Sequence, residues 1–178
     1  MRILLLGTGG TIACLPGENG LAPSFHVEQL LKYVHTDVSD IDCRDLFQLD
    51  SSNIQPEEWR TIAACLRESI DEGYEAIVIT HGTDTLAYTA SMLSFILQGV
   101  QIPIVLTGAQ YPIAYPDSDG KENLTNAIIA ARSLPGGVYI CFGDRVILGS
   151  RSVKVRSTSL NAFESINYPN IGTIAQGR

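Results

Sequence analysis

The sequence has little charge, no cluster of basic residues and no long apolar run. Charged side chains make up 17% of the 178 residues, and the formal net charge is -7. An acidic chain without a Lys/Arg patch is repelled by nucleic-acid phosphates and by anionic membrane surfaces, which sets those partners aside. No run approaches the roughly 18 apolar residues of a membrane span. Only Ile3-Leu4-Leu5-Leu6 lies between Met1-Arg2 and Gly7, whereas a secretion signal needs roughly 7–15 apolar residues. The cysteines, Cys14, Cys43, Cys65 and Cys141, include no CxxC pair. Neither a disulfide framework nor a thiolate metal site is indicated, and they read as reduced buried thiols. These absences lead us to expect a soluble cytoplasmic protein.

What is present is ample core material, 45% hydrophobic residues, arranged in short apolar runs that alternate with helical patterns. Ile3–Leu6, Ala76–Ile79 and Ile102–Leu106 read as strands buried on both faces. Cys43–Leu49 reads as a further strand, and Val138–Phe142 with Val146–Leu148 as a late hairpin. Helices are expected over Val27–Val34, from Pro56 to Gly73, from Thr85 to about Leu97 and from about Glu122 to Arg132. Pro56 followed by two glutamates is a helix-start signal, and Gly99 lies just past a helix end. Residues 12–26, with Pro16, Gly17, Asn19, Gly20 and Pro23, read as a long loop. Strands alternating with helices predict an α/β fold, three layers deep, with a mainly parallel sheet between helices. Residues 1–166 are expected to form that domain and 167–178 the start of a linker.

Polar turns follow the predicted strands: Gly7-Thr8-Gly9-Gly10-Thr11, Asp50-Ser51-Ser52-Asn53, Thr80-His81-Gly82-Thr83-Asp84 and the less polar Thr107-Gly108-Ala109-Gln110. Ligands in open parallel sheets bind beyond the carboxyl ends of the strands, so neighbouring turns would converge on one crevice. The phosphate motifs do not fit, because Ile12 stands where a dinucleotide fingerprint needs glycine and no Gly-Lys-Ser/Thr follows for a P-loop. Asp117-x-Asp119-Gly120 lacks the spacing and closing glutamate of a calcium loop and reads as a polar turn into a helix. Nucleophilic catalysis fits better. A threonine hydroxyl is a weak nucleophile that needs an adjacent base. Gly9-Gly10 would let a substrate approach the backbone beside Thr11, Thr83 adjoins Asp84, and Lys154 in Ser152-Val153-Lys154-Val155 is a candidate base. Each also has a plainer reading: Thr83 or Asp84 as the cap of the next helix, Lys154 as a solvated side chain, and His81 as a satisfied, partly buried histidine.

Taken together, these stretches resemble the bacterial-type L-asparaginases, including the cytoplasmic type I forms. The resemblance rests on residues 7–13, 50–53, 79–85, 106–110 and the region of Lys154, in the family's order and spacing, and it covers essentially the whole chain. It implies hydrolysis of L-asparagine to L-aspartate and ammonia by threonine chemistry, without a metal or organic cofactor. By motif, Thr11 matches the family's nucleophile. Thr83, Asp84 and Lys154 match a second catalytic cluster, in which the lysine and aspartate assist proton transfer. Ser51 matches the residue that holds the substrate α-carboxylate, Asp84 the carboxylate that meets the α-ammonium, Ser52 an adjacent contact, and Ala109 a backbone carbonyl near the reacting amide. Backbone N–H groups near Thr11 and Thr83 would form the oxyanion hole. A zwitterionic amino acid needs this pairing of anion and donors. Glutamine differs from asparagine by one methylene, worth about 1–3 kcal/mol, which leaves room for some glutaminase activity.

Two departures stand out. The family's mobile loop carries a tyrosine that activates the nucleophile, but here Gly20-Leu21-Ala22-Pro23 fills that place and no tyrosine lies between Thr11 and Tyr33. Ser24 would be a poor substitute. Family members also run to roughly twice this size, with a smaller carboxy-terminal domain that completes a neighbouring subunit's site. The chain is therefore expected to be an asparaginase catalytic domain that self-associates as a homodimer or takes a separate carboxy-terminal polypeptide. It would be an engineered fragment, one half of a split enzyme or a short form. Two other readings stay open: a binding module that holds aspartate or asparagine without turnover, and the asparaginase-like subunit of a tRNA-dependent amidotransferase. The latter usually has an extra amino-terminal segment, whereas Met1 here opens directly onto the first strand.

Overall fold

The computed structural model describes residues 1–17 and 20–175. Glu18 and Asn19 of the expected loop, and residues 176–178 of the expected linker, lie outside the described residues. In chain order the elements are β1 (Ile3–Gly9), β2 (Cys14–Gly17), β3 (Gly20–Pro23), α1 (Val27–Leu30), β4 (Ile41–Leu49), α2 (Pro56–Asp71), β5 (Ala76–Thr80), α3 (Leu86–Ile96), β6 (Pro103–Thr107), α4 (Gly120–Ser133), β7 (Gly137–Phe142), β8 (Arg145–Leu148), β9 (Ser152–Lys154), β10 (Phe163–Ser165) and β11 (Gly172–Thr173).

Seven strands form one sheet in the order β11-β8-β7-β6-β5-β1-β4. The five from β4 to β7 are mutually parallel, while at the other end β8 pairs antiparallel with β7 and β11 antiparallel with β8. The alternation of side chains along each strand builds two cores. Leu4, Leu6, Ile77, Ile79, Ile104 and Leu106 face Ile62 and Leu66 of α2 and Leu86, Ala90 and Leu93 of α3. Ile3, Leu5, Ala76, Val78 and Val105 face Val27 and Leu30 of α1 and Leu124, Ala127, Ile128 and Ala131 of α4. The three-layer α/β/α architecture expected from the alternating runs is the one observed.

Numbered among themselves, the five parallel strands run second-first-third-fourth-fifth across the sheet. The chain leaves β1 toward one side and later returns on the other, so the switch point lies between β1 and β5. This is where an open parallel sheet leaves a crevice at its carboxyl edge.

The structure differs from the sequence reading in several places. Within the expected 12–26 loop, Thr11–Ala13 form a single 3-10 turn, and β2 pairs with β3 as a hairpin. The expected Val27–Val34 helix is one α-turn, Val27–Leu30, continued as a 3-10 turn over Leu31–Tyr33. After β8 the chain makes a second antiparallel ribbon, β9 with β10, that periodicity does not signal. Three-residue strands are too short to show a period of two. In the stretch read as linker, Ile171 and Ile174 donate backbone hydrogen bonds to Val146 and Asp144, flanking the β11–β8 pairing.

Candidate active site

The four polar turns lie side by side because their strands do: β4, β1, β5 and β6 are consecutive in the sheet. They are pressed backbone to backbone. Gly10 has φ 76°, and a Cβ there would sit 2.3 Å from the Gly82 nitrogen. One on Gly82 would meet the Ser51 hydroxyl at 2.4 Å, and one on Gly108 the His81 carbonyl at 2.3 Å. The glycines expected to admit a substrate thus admit the neighbouring turn, although Gly10 also borders the cavity described next.

That cavity, about 50 Å3, has Thr11, Leu21, Ser51, Thr83 and Asp84 in its lining. It is room for a few water-sized groups, hence for a small polar molecule. Thr11 stands in the 3-10 turn directly after β1, and Thr83 in the turn after β5, so the two threonines flank the switch point. Leu21, on β3, lines the cavity from the Gly20-Leu21-Ala22-Pro23 stretch that, by the resemblance, fills the place of the family's loop tyrosine.

Beside the cavity, Lys154 Nζ donates to Thr83 Oγ1 at 2.8 Å and to Asp84 Oδ1 at 2.7 Å. The lysine side chain is 15% exposed and the aspartate 65%. The ammonium is therefore sheltered, while the carboxylate remains open to a ligand. Thr83 and Asp84 do not cap the following helix. Thr85 occupies the cap position and donates its hydroxyl to the Ser51 carbonyl at 2.8 Å. Lys154 is not solvated: β9 delivers it here, 70 residues along the chain from Asp84.

The remaining residues sit as follows. Ser51 is buried in the cavity wall. Ser52 is exposed and donates its hydroxyl at 2.7 Å and its N–H at 2.8 Å to Asp50 Oδ1. Those bonds hold the Asp50 carboxyl below the usual range. The structure thus makes Ser52 part of the turn that shapes Ser51, outside the cavity lining. Ala109 is fully buried, also outside that lining, in a turn clamped by Asp119. The Asp119 carboxylate accepts from the N–H groups of Gln110 and Tyr111, at 2.9 and 3.1 Å, and from Asn123 Nδ2 at 3.1 Å. The polar turn at 117–120 is thus a support for the fourth polar turn, residues 107–110. Among the described residues no three His, Cys, Asp or Glu side chains group as a metal site, and all four cysteines are free.

His81 is completely buried, and burial pushes its pKa down to about 4. Its Nδ1 lies 2.8 Å from the Gly82 carbonyl, which can only accept, so Nδ1 carries the proton. Nε2 then accepts from Thr89 Oγ1 at 3.0 Å, and Thr89 accepts from Trp59 Nε1 at 2.9 Å. A neutral, satisfied histidine is the role observed, and it is more deeply buried than the sequence suggests. Three contributors escape a reading from sequence: Gln110, Asp119 and Asn123. Thr107-Gly108-Ala109-Gln110 reads as a turn, but nothing in one sequence pairs it with residues 119, 123 or 157.

Residues 2–178 match the family model described as Asparaginase, N-terminal. The chain belongs to the asparaginase family. It is 48% identical to the L-asparaginase of Thermococcus kodakarensis over 177 residues, which cover 98% of this chain and 54% of that protein. The solved structure of that thermostable enzyme superposes with a TM-score of 0.93 over 100% of this chain and 55% of its own. The probable cytoplasmic L-asparaginase of Campylobacter jejuni gives a TM-score of 0.89 at 33% identity, with coverage of 99% and 55%. A component of the glutamyl-tRNA(Gln) amidotransferase of Saccharolobus solfataricus is 38% identical over 178 residues, 93% of this chain and 40% of that component. The chain therefore spans about half the length, or less, of the family relatives it matches.

Proposed function

We propose that this chain is the amino-terminal catalytic domain of an L-asparaginase, hydrolysing L-asparagine to L-aspartate and ammonia through a threonine nucleophile. The observation that carries this reading is the Lys154–Thr83–Asp84 contact set against a small cavity shared with Thr11 and Ser51. A pure binder has no need of a lysine brought from a separate ribbon to a threonine hydroxyl. A hydroxyl that is to exchange protons does.

In this reading the substrate's α-carboxylate is met by Ser51 and its α-ammonium by the open oxygen of Asp84. The Thr11 oxygen adds to the side-chain carbonyl carbon, and backbone N–H groups near Thr11 and Thr83 stabilise the oxyanion. The C–N bond breaks and the departing nitrogen takes a proton to leave as ammonia. Water then hydrolyses the Thr11 ester to release aspartate. The proton that Thr11 gives up as it adds is the one the departing nitrogen takes, and in the second half Thr83, with Lys154 and Asp84 behind it, takes a proton from the attacking water and returns one to the Thr11 oxygen. No step calls for a metal or organic cofactor. We further propose a cytoplasmic location, in keeping with the Campylobacter relative's description. A homodimer, or a separate polypeptide supplying the remaining domain, would complete the site. Glutamine would be a poorer substrate, at a pocket-length cost of about 1–3 kcal/mol.

Leu21 favours a second reading. It lines the cavity where a hydroxyl would activate Thr11, as expected of a module that binds aspartate without turnover. The test is ammonia release from L-asparagine by the purified chain, beside Thr11→Ala and Thr83→Ala. Turnover abolished in both variants supports the hydrolase. Saturable aspartate binding by calorimetry with no turnover in the parent chain would replace it with the binder.

A further inference from the structure

Gln110 stands behind Thr83, and its own hydrogen bonds leave it one orientation. Its Nε2 lies 3.1 Å from the Ser157 carbonyl and 3.0 Å from the Ser159 carbonyl. Both are acceptors only, so both amide hydrogens are spent there and Oε1 must face the other way. Oε1 lies 3.3 Å from Thr83 Oγ1. Thr83 already accepts from the Lys154 ammonium, so its own proton points at Gln110. The Gln110 backbone is fixed independently, through its N–H to the Asp119 carboxylate at 2.9 Å.

The result is a directed chain: Lys154 donates to Thr83, and Thr83 donates to Gln110. The carbonyls at the end of that chain belong to the turn that leaves β9 immediately after Lys154. One side chain thus sets the direction of the Thr83 O–H and ties down the segment that carries its base.

We infer that Gln110 is a positioning residue for the proton relay. While Lys154 is charged, it holds the Thr83 proton on the far side of the oxygen. When Lys154 is neutral, the proton swings across to it. The swing is easy because the Thr83–Gln110 contact, at 3.3 Å, is longer than the usual 2.7–2.8 Å of an O–H···O bond. The inference rests on the hydrolase reading for its catalytic half, whereas the clamp on residues 157–159 stands apart from it.

The test uses the 178-residue chain with Gln110→Met, which removes donors and acceptor at similar size, and Gln110→Glu, which keeps an acceptor for Thr83 but cannot donate to the carbonyls. Two quantities are read: kcat and KM for asparagine, and amide hydrogen exchange across residues 155–162. Expected are a kcat about tenfold lower in Gln110→Met with KM within about twofold, kcat recovered only in part in Gln110→Glu, which restores the acceptor for Thr83 but not the clamp, and exchange of the 157–161 amides about tenfold faster in both. An unchanged kcat in Gln110→Met, or unchanged exchange in both variants, overturns the inference. If the parent chain releases no ammonia, the hydrolase reading of the isolated chain fails. Exchange alone then decides: faster in both variants supports the clamp, and no change removes it.

Discussion

Acid should weaken this protein through a single buried ring, and the size of the effect follows from two pKa values. An exposed histidine titrates at 6.5, while His81 is held down to about 4 by burial. Between those values the unfolded chain binds a proton that the folded chain refuses, so stability rises with pH and falls as pH drops. His81 is satisfied as the neutral ring by Thr89 and the Gly82 carbonyl, so the full benefit is present above pH 6.5. Linkage then removes about 2 kcal/mol by pH 5 and about 3 kcal/mol by pH 4. Urea unfolding of the parent chain and of His81→Gln at pH 7, 6, 5 and 4 isolates this contribution, because every other titrating group cancels in the difference. The parent's advantage over the variant should shrink by about 3 kcal/mol across that range, with most of the change below pH 6.5. A difference independent of pH would refute the neutral buried ring and the directed Trp59–Thr89–His81–Gly82 hydrogen-bond chain with it.

Two further substitutions probe the packing of the turns. Gly10→Ala places a Cβ 2.3 Å from the Gly82 nitrogen at a φ of 76°, backbone against backbone. It should cost more than about 3 kcal/mol, read as a fall in melting temperature on the order of 10 °C, together with loss of aspartate binding. Asn123→Asp turns a buried amide that donates to the Gly108 carbonyl at 2.9 Å and to Asp119 at 3.1 Å into an acceptor facing acceptors. A loss of about 3–5 kcal/mol is expected in urea unfolding, and a value under about 1 kcal/mol would mean that the 108–123 contact does not hold the fourth turn.

How much of this is legible in the sequence depends on the range of the interaction. Apolar runs bounded by glycine mark strands whichever partners they find, so β1, β5, β6 and β7 can be read directly. Their parallel arrangement follows from the helices between them. Thr11, Thr83, Asp84 and Ser51 are legible because each sits in the turn just after such a strand, and a strand's end fixes where its turn goes. Lys154 is legible as a candidate base from its apolar context, but its meeting with Thr83 is not, since a three-residue strand has no periodicity to display and so no visible place in the fold. Gln110, Asp119 and Asn123 are not legible. Apart from the Asn123–Asp119 bond within one helical turn, their work is done by hydrogen bonds spanning 8 to 49 residues, and no local pattern encodes such a bond. The 12–26 region misleads for a related reason: proline and glycine signal turns, and a hairpin whose strands have four residues each is mostly turn.

The site is assembled from parts of unequal firmness. Its floor, with Thr11, Ser51 and Thr83, grows from β1, β4 and β5, three adjacent parallel strands of the seven-stranded sheet. Its base rides on the β9–β10 ribbon, two strands of three residues each outside that sheet, anchored by the Phe163 ring against Phe142 at 4.8 Å. A two-stranded ribbon has little stability of its own, so it can peel away while the sheet stays intact. Warming would then draw Lys154 out of reach of Thr83 before the fold as a whole gives way, and the molecule would lose its chemistry while keeping its shape.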